Sequence, residues 1–147
     1  MFQHLLIPVD GTELSERALQ AGLDLAQKLG ASVTAFVAEP FPPMPAIDAN
    51  AAAYARDAGA HVERTNAHAQ ALLDRIGAKA REQGVTYEGR FHRSDQIDIA
   101  IVEAAKEYGC DLIVMATHGR GAFGELLFGS HTKNVLARCK LPLLVLH

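Results

Sequence analysis

Cysteine is scarce in this sequence, which holds only Cys110 and Cys139 among its 147 residues. The two thiols do not form a CxxC pair, and they do not join any histidine at a zinc-ligand spacing. This pattern is typical of reduced, buried thiols rather than of a disulfide framework or a zinc site. We therefore expect two buried thiols in a cytoplasmic protein.

Excess positive charge and long apolar runs are also missing. The formal net charge is −3 at pH 7, so no overall basic field attracts nucleic acid or anionic lipid. No uninterrupted apolar run reaches the roughly 20 residues of a membrane-spanning helix. The first residues lack a basic segment and soon meet Pro8 and Asp10, unlike a secretory signal. We expect no nucleic-acid partner, no membrane partner and a cytoplasmic location.

Several familiar site motifs are absent as well. There is no GxxxxGK[ST] loop, no HExxH and no GxSxG. A GxGxxG pattern occurs at 119–124, but it follows the fourth predicted strand, and no acidic residue comes after Glu125 to bind a ribose. The third predicted strand ends at 91–93 without the aspartate of a phospho-receiver domain. The seven histidines are scattered, so we expect no dedicated metal site.

The chain does contain alternating strand and helix patterns along its whole length. Short apolar runs predict strands at 4–9, 32–38, 85–92, 112–116 and Leu143–Leu146. Apolar residues at helical spacing predict helices over 14–29, 62–80 and 97–108, and another after Ser130. The alternation predicts one α/β domain over 1–147, a doubly wound five-stranded parallel sheet with helices on both faces.

Residues 39–54 interrupt this alternation. Four of the six prolines lie there, followed by an alanine-rich stretch. The composition predicts a long connection that serves as a lid or a partner-facing surface.

Parallel sheets of this kind bind ligands beyond the carboxyl ends of their strands. Pro8, Val9 and Asp10 lie at the end of the first strand, and Val37 and Ala38 lie at the end of the second. We expect these segments to meet the loop after the fourth strand. Asp10 then accepts a hydrogen bond from a ribose hydroxyl or an adenine amine; the alternative is a turn or cap residue for the first helix.

A glycine-rich loop joins the fourth strand to the last helix, from Met115 to Thr132. Its glycines let the backbone approach a phosphate, and the free N–H groups of a helix that starts at Ser130 favour an anion. Ser130 and Thr132 add hydroxyl groups, and Arg120 adds a positive charge. The loop therefore predicts phosphate binding.

The loop and its surroundings resemble the universal stress protein family. Nucleotide-binding members of that family have G-x-x-G, nine residues, then G-[ST], and here Gly119, Gly129 and Ser130 match. The first glycine of the motif is replaced by Ala116. The segments at 8–11, 101–115 and 141–145 also fit, so the resemblance covers essentially the whole chain and is weak only at 39–54.

The resemblance implies an adenine nucleotide alpha hydrolase-like fold and a stress-response regulator or sensor that binds ATP or AMP. It also implies Mg²⁺ held through the phosphates, and often a homodimer. Adenine and ribose are implied to lie at the strand ends, near Pro8, Val9, Asp10, Val37, Met115 and Ala116. Phosphates are implied to meet the loop and the last helix, at His118, Gly119, Arg120, Gly129, Ser130, His131 and Thr132.

Two further functions stay open, and we assign no catalytic residue. One is a slow ATP-hydrolysing enzyme, which the sequence supports poorly because no general base is evident. The other is a dimeric scaffold that has lost nucleotide binding and meets a protein partner through 39–54. We expect the last strand, Leu143–Leu146, to lie at an edge of the sheet and to pair with its copy in a homodimer.

Overall fold

The computed structural model describes residues 1–117 and 130–147, apart from the side chain of Ser130. It contains one parallel sheet of five strands in the order β3-β2-β1-β4-β5. The strands are β1 (His4–Pro8), β2 (Ser32–Glu39), β3 (Tyr87–Arg93), β4 (Leu112–Ala116) and β5 (Leu143–Leu146). The predicted five-stranded parallel sheet is confirmed.

Within residues 1–117 and 130–147, four helices cover the two faces of this sheet. They are α1 (Glu13–Leu29), α2 (Ala51–Glu82), α3 (Ile97–Glu107) and α4 (Ser130–Arg138). Side chains of α1 and α2 share one apolar core with Leu5 and Ile7, and those of α3 and α4 share the other with Leu6. Successive residues of β1 thus enter opposite cores, as the pleat of a strand requires.

Local signals place α1 where the sequence predicts it. The side chain of Thr12 caps its N-terminus by accepting a hydrogen bond from the backbone N–H of Ser15. Gly30 ends the helix with φ of 67°, in the left-handed region that glycine adopts without a steric penalty. On its surface, Glu16 pairs with Arg75 and Lys79 of α2.

The predicted connection over 39–54 is too long. Strand β2 continues to Glu39, and α2 begins at Ala51. Asn50 caps this helix by accepting hydrogen bonds from the N–H groups of Ala52 and Ala53. The alanine-rich stretch is therefore helix, because alanine is the strongest helix former even without an apolar face. None of the residues 51–61 of α2 is buried, so this first part of the helix has no apolar period from which it could be predicted.

The remaining expectations about organisation have mixed outcomes. The strand β5 lies at the sheet edge, as predicted. Cys110 is buried, and burial raises its pKa to about 11, whereas Cys139 is only half-buried, contrary to the prediction of two buried thiols. Within 1–117 and 130–147, no helix combines the length and apolar character needed to cross a membrane.

Candidate functional site

A cavity opens at the point where the strand order reverses, between β1 and β4. Its volume is about 350 Å³, within the range of roughly 300–1,000 Å³ that is common for small-molecule sites. Strand ends and helix starts from both halves of the chain enclose it. The residues that line it are Pro8, Val9, Asp10, Thr12, Leu14, Ser15, Phe36, Ala38, Ile97, Ile101, Met115, Ala116, His131 and Thr132.

Apolar side chains form a large part of this cavity. Phe36 and Met115 come from β2 and β4, and both are almost fully buried. Ile97 and Ile101 come from α3, one helical turn apart. Polar groups are contributed mainly by the β1–α1 connection and by the first turn of α4. A largely apolar pocket with a few polar groups has the usual composition of a small-molecule site.

Phe36 contacts His92, which in turn contacts Tyr108, and the sequence indicated neither contact. The His92 ring meets the Phe36 ring edge-on, with ring centroids 5.4 Å apart. The Nε2 atom of His92 lies 2.8 Å from the Tyr108 hydroxyl, and burial, reinforced by Glu107, raises the pKa of Tyr108. These contacts join β3 and α3 and fix the aromatic wall of the cavity.

The side chain of Val37 does not line the cavity. It is 1% exposed and packs in the core that α1 and α2 cover. Its neighbours Phe36 and Ala38 line the cavity instead, because alternate residues of a strand face opposite sides of the sheet. The prediction that the ligand lies near Val37 stays a prediction, and at this position only the backbone is on the cavity side of the core packing.

Asp10 both lines the cavity and shapes the turn before α1. Its Oδ1 accepts hydrogen bonds from the backbone N–H of Thr12 at 2.9 Å and from the Thr12 hydroxyl at 2.6 Å. Partial burial acts to raise the pKa of Asp10, but the hydrogen bonds from Thr12 and Ser15 outweigh it and lower the pKa below its ordinary value. Gly11 makes this turn with φ of 82°. The carboxylate remains exposed and charged.

The first turn of α4 brings His131 and Thr132 to the cavity. The Nδ1 atom of His131 lies 2.5 Å from Oδ1 of Asp98 on α3. The other carboxylate oxygen of Asp98 accepts a hydrogen bond of 2.8 Å from the side-chain amide of Asn134. Sequence reasoning missed Asp98, because an acidic residue in the first turn of a helix is ordinarily explained by the helix dipole.

The rest of the predicted phosphate loop lies outside the described residues. This applies to His118, Gly119, Arg120 and Gly129, and to the side chain of Ser130. Met115 and Ala116 are described, and both line the cavity. Among residues 1–117 and 130–147, no group of three or more histidine, cysteine, aspartate or glutamate side chains has a metal-binding arrangement.

Comparison with known proteins identifies the family to which this architecture corresponds. The family model described as "Universal stress protein family" matches residues 1–147. The chain belongs to the universal stress protein family. The family expected from the sequence is thereby confirmed.

Relatives within the universal stress protein family match the chain over nearly its whole length. "Universal stress protein in QAH/OAS sulfhydrylase 3′region" from Thermus aquaticus is 31% identical over 149 residues, covering 99% of this chain and 98% of that protein. A crystal structure of a family member from Burkholderia pseudomallei has a TM-score of 0.77 at 21% identity, covering 98% of this chain and 95% of that one. That likeness shows the fold.

A second solved structure is more similar in sequence. It is a universal stress protein crystallised in complex with cAMP, with a TM-score of 0.70 and 30% identity. The alignment covers 99% of this chain and 97% of that chain.

Proposed function

We propose that this universal stress protein binds an adenine nucleotide, ATP or AMP, in the cavity between β1 and β4, and acts as a stress-response regulator or sensor in the cytoplasm. The observation that supports this most directly is the cavity itself, which joins an apolar slot to polar groups at the switch point of the sheet. The relative that is 30% identical and was solved with cAMP adds support from sequence.

Different residues of the cavity suit the three parts of an adenine nucleotide: the base, the ribose and the phosphates. The slot between Phe36 and Met115 receives the base, because both side chains offer apolar surface. Asp10 supplies a charged acceptor for ribose hydroxyls or the adenine amine. Phosphates then meet the start of α4, where Thr132 lines the cavity and the backbone of Ser130 begins the helix.

The replacement of the family glycine by Ala116 is compatible with this ligand. Among the described residues, no residue other than glycine has a positive φ, so Ala116 adopts a backbone conformation open to any residue. The position therefore does not require the freedom of glycine. Its methyl group adds to the cavity lining next to Met115.

A regulator fits the cavity better than a hydrolase. Phosphoryl transfer needs a positioned base and usually a metal ion held by carboxylates. Among the described residues that line the cavity, Asp10 is the only carboxylate, and its Oδ1 is already bonded to Thr12. The proposal therefore assigns no catalytic residue, and any Mg²⁺ enters with the phosphates. Bound nucleotide then acts by favouring one conformation or one partner state.

We also propose that the chain forms a homodimer through β5. This strand is at the sheet edge, and its four residues are only half-buried in the single chain. Leu136 on the neighbouring α4 is 57% exposed. A bare apolar edge is an aggregation hazard, and pairing with the same strand of a second copy removes it.

The test is to denature the purified protein and to identify any released small molecule by chromatography and mass. We expect an adenine nucleotide, with ATP turnover far below about one per second, the low end of the ordinary enzyme range. Steady release of inorganic phosphate at that rate would favour the hydrolase. Absence of released nucleotide, together with no binding of added ATP, AMP or adenosine, would favour the scaffold.

A further inference from the structure

We propose that His92 and Tyr108 give the cavity its preference for a purine base over a pyrimidine, because together they fix the ring of Phe36. This role rests on the proposed nucleotide function and adds two positioning residues to it. Neither residue is among the described residues that line the cavity, so both act through Phe36. The preference for the base is therefore set by contacts that lie behind the cavity wall.

Phe36 is the wall residue on which these contacts act. Its side chain is 1% exposed, belongs to the core that α3 and α4 cover, and lines the cavity from β2. The next residue on the same face of β2 is Ala38, which is aligned with His92 of β3. Because the alanine side chain is a single methyl group, the imidazole has room to meet the Phe36 ring edge-on, with centroids 5.4 Å apart and ring planes at 85°. This is a preferred arrangement of two aromatic rings.

Tyr108 fixes the orientation of that imidazole. The Nε2 atom of His92 lies 2.8 Å from the Tyr108 hydroxyl, and the two ring centroids are 6.1 Å apart. The torsion that turns an imidazole about its Cβ–Cγ bond has broad minima, so without a hydrogen bond the ring has little preference of its own. Tyr108 itself is anchored at the end of α3, where its backbone N–H donates to the Ala104 carbonyl at 2.9 Å. One hydrogen bond thus links the helix to the ring that packs on Phe36.

The same face of β3 continues this row of side chains to the protein surface. The guanidinium of Arg90 lies 5.0 Å from the centroid of the Tyr108 ring, and Arg90 pairs with Glu88 at 3.1 Å. Both charged residues are exposed, and an exposed ion pair contributes little because solvent screens it. An exposed cation–π contact is also weak. We therefore assign the positioning role to His92 and Tyr108, which are half-buried, and not to Arg90 or Glu88.

A fixed Phe36 ring favours a purine because the wall is apolar. The proposed slot lies between Phe36 and Met115, and both side chains are almost fully buried. A base of two fused rings covers more of such a wall than a base of one ring, and the free energy gained scales with the apolar area removed from water. When the Phe36 ring is not held, binding must first order it, and that cost reduces affinity. A pyrimidine covers less of the wall and so loses less.

The experiment compares the dissociation constants of AMP and CMP, which share the ribose and the phosphate and differ in the base. Calorimetry at one fixed pH measures AMP directly and CMP by displacement of AMP. The ratio of the CMP constant to the AMP constant reports the base preference, and we expect the wild type to prefer AMP. Tyr108→Phe removes only the hydroxyl, and His92→Leu removes the imidazole. Each should lower the ratio by about fivefold, the scale of one hydrogen bond or one aromatic contact.

His92→Phe separates the two contacts of the imidazole. This variant keeps an aromatic ring against Phe36 and loses the hydrogen bond to Tyr108. It should therefore recover part of the ratio that His92→Leu loses. A general loosening of α3 would not be repaired by a ring at this position, so the recovery identifies Phe36 as the residue on which His92 acts.

Tyr87 offers the matched control on the opposite face of β3. Its hydroxyl donates a 2.7 Å hydrogen bond to the Leu73 carbonyl of α2, and Tyr87 is not among the described residues that line the cavity. Tyr87→Phe removes the same chemical group from another contact between β3 and a helix. It should keep the CMP-to-AMP ratio within about twofold of wild type, whatever it costs in urea unfolding.

Three results would overturn the role of His92 and Tyr108 while leaving nucleotide binding in place. They are a ratio near one in the wild type, an unchanged ratio in Tyr108→Phe and His92→Leu, and an equal change in Tyr87→Phe. Failure of the wild type to bind either nucleotide would overturn the proposed function as well. Urea unfolding checks that each variant is folded, and Tyr108→Phe, the smallest change, decides the outcome alone when His92→Leu does not fold.

Discussion

The Thr12 hydroxyl donates a 2.6 Å hydrogen bond to Oδ1 of Asp10, and the Thr12 hydroxyl oxygen accepts a hydrogen bond from the backbone N–H of Ser15. One side chain thus caps α1 and orients the carboxylate that lines the cavity. The start of the first helix and the candidate ribose site are therefore a single local structure.

Thr12→Ala should lower the free energy of unfolding by about 1 kcal/mol, the usual cost of losing an N-cap side chain. Urea unfolding measures this as a lower midpoint at constant slope. Thr65→Ala is the matched control, because its hydroxyl only bonds back to the carbonyls of His61 and Val62 within α2. That variant should stay within about 0.5 kcal/mol of wild type. An equal loss in both variants would contradict the capping role.

Asp10→Ala should weaken adenosine and AMP alike, each by about tenfold, because the carboxylate is assigned to the sugar and base rather than to the phosphate. Calorimetry with both ligands tests this. Asp57→Ala, on the exposed N-terminal half of α2, is the control and should bind as wild type does. Loss of AMP binding with adenosine binding intact would place Asp10 at the phosphate instead.

Glu16→Gln should make the stability of the folded protein depend less on pH in the acidic range. The hydrogen bond from Arg75, with a contribution from Lys79 and against the effect of burial, lowers the pKa of Glu16 below its ordinary value of 4.5. A carboxyl with a lowered folded pKa stabilises the protein above its unfolded pKa, and this contribution is lost as pH falls through the folded value. Thermal melts from neutral pH down to about pH 3 should show a shallower decline in Glu16→Gln. Parallel declines would show that the pair contributes nothing.

Val145→Pro should abolish the proposed dimer and leave the monomer folded. The backbone carbonyls of Pro142 and Leu146 accept hydrogen bonds on the β4 side of the strand. Because successive residues of a strand direct their backbone groups to alternate sides, the N–H of Val145 lies on the open side. Proline removes that N–H and is tolerated on an edge strand. Sedimentation should give a monomer for Val145→Pro and a dimer for wild type and Val145→Ala. A dimer that survives the proline would place the interface elsewhere.

Gly129→Val should abolish stabilisation by ATP. At a hundred times its dissociation constant, ATP bound only to the folded state adds about 2.7 kcal/mol, which raises the melting temperature. The family motif assigns Gly129 to the phosphates, where a branched side chain blocks their approach. Gly59 lies in α2 with open space around it, so Gly59→Val should keep the ATP-dependent shift. An unchanged shift in Gly129→Val would remove this position from the site.

Local signals explain why much of the fold was predictable from the sequence. The bounds predicted for β4 and β5 are right because each apolar run is short and flanked by clear breaks. The start of α2 was not predictable from periodicity, since its exposed alanines form a helix without an apolar face. Val37 was assigned from its place at a strand end as well as by resemblance, and the pleat turns its side chain into the core.

The Asp98–His131 contact lay beyond sequence reasoning for a different reason. The two residues are 33 positions apart, on helices whose packing only the tertiary structure defines. Nothing in either local pattern indicates the other residue.

Because the cavity lies between β1 and β4, it can form only after β4 has been synthesised. Leu5 is aligned with Leu112, and the carboxylate of Asp111 accepts hydrogen bonds from the backbone of Gln3 and His4. More than a hundred residues must therefore be synthesised after β1 before β4, its neighbour in the sheet, is complete. Contacts so distant in sequence form late. A nascent or prematurely terminated chain that ends before β4 lacks one wall of the cavity, so we expect it not to bind the nucleotide proposed for the finished protein.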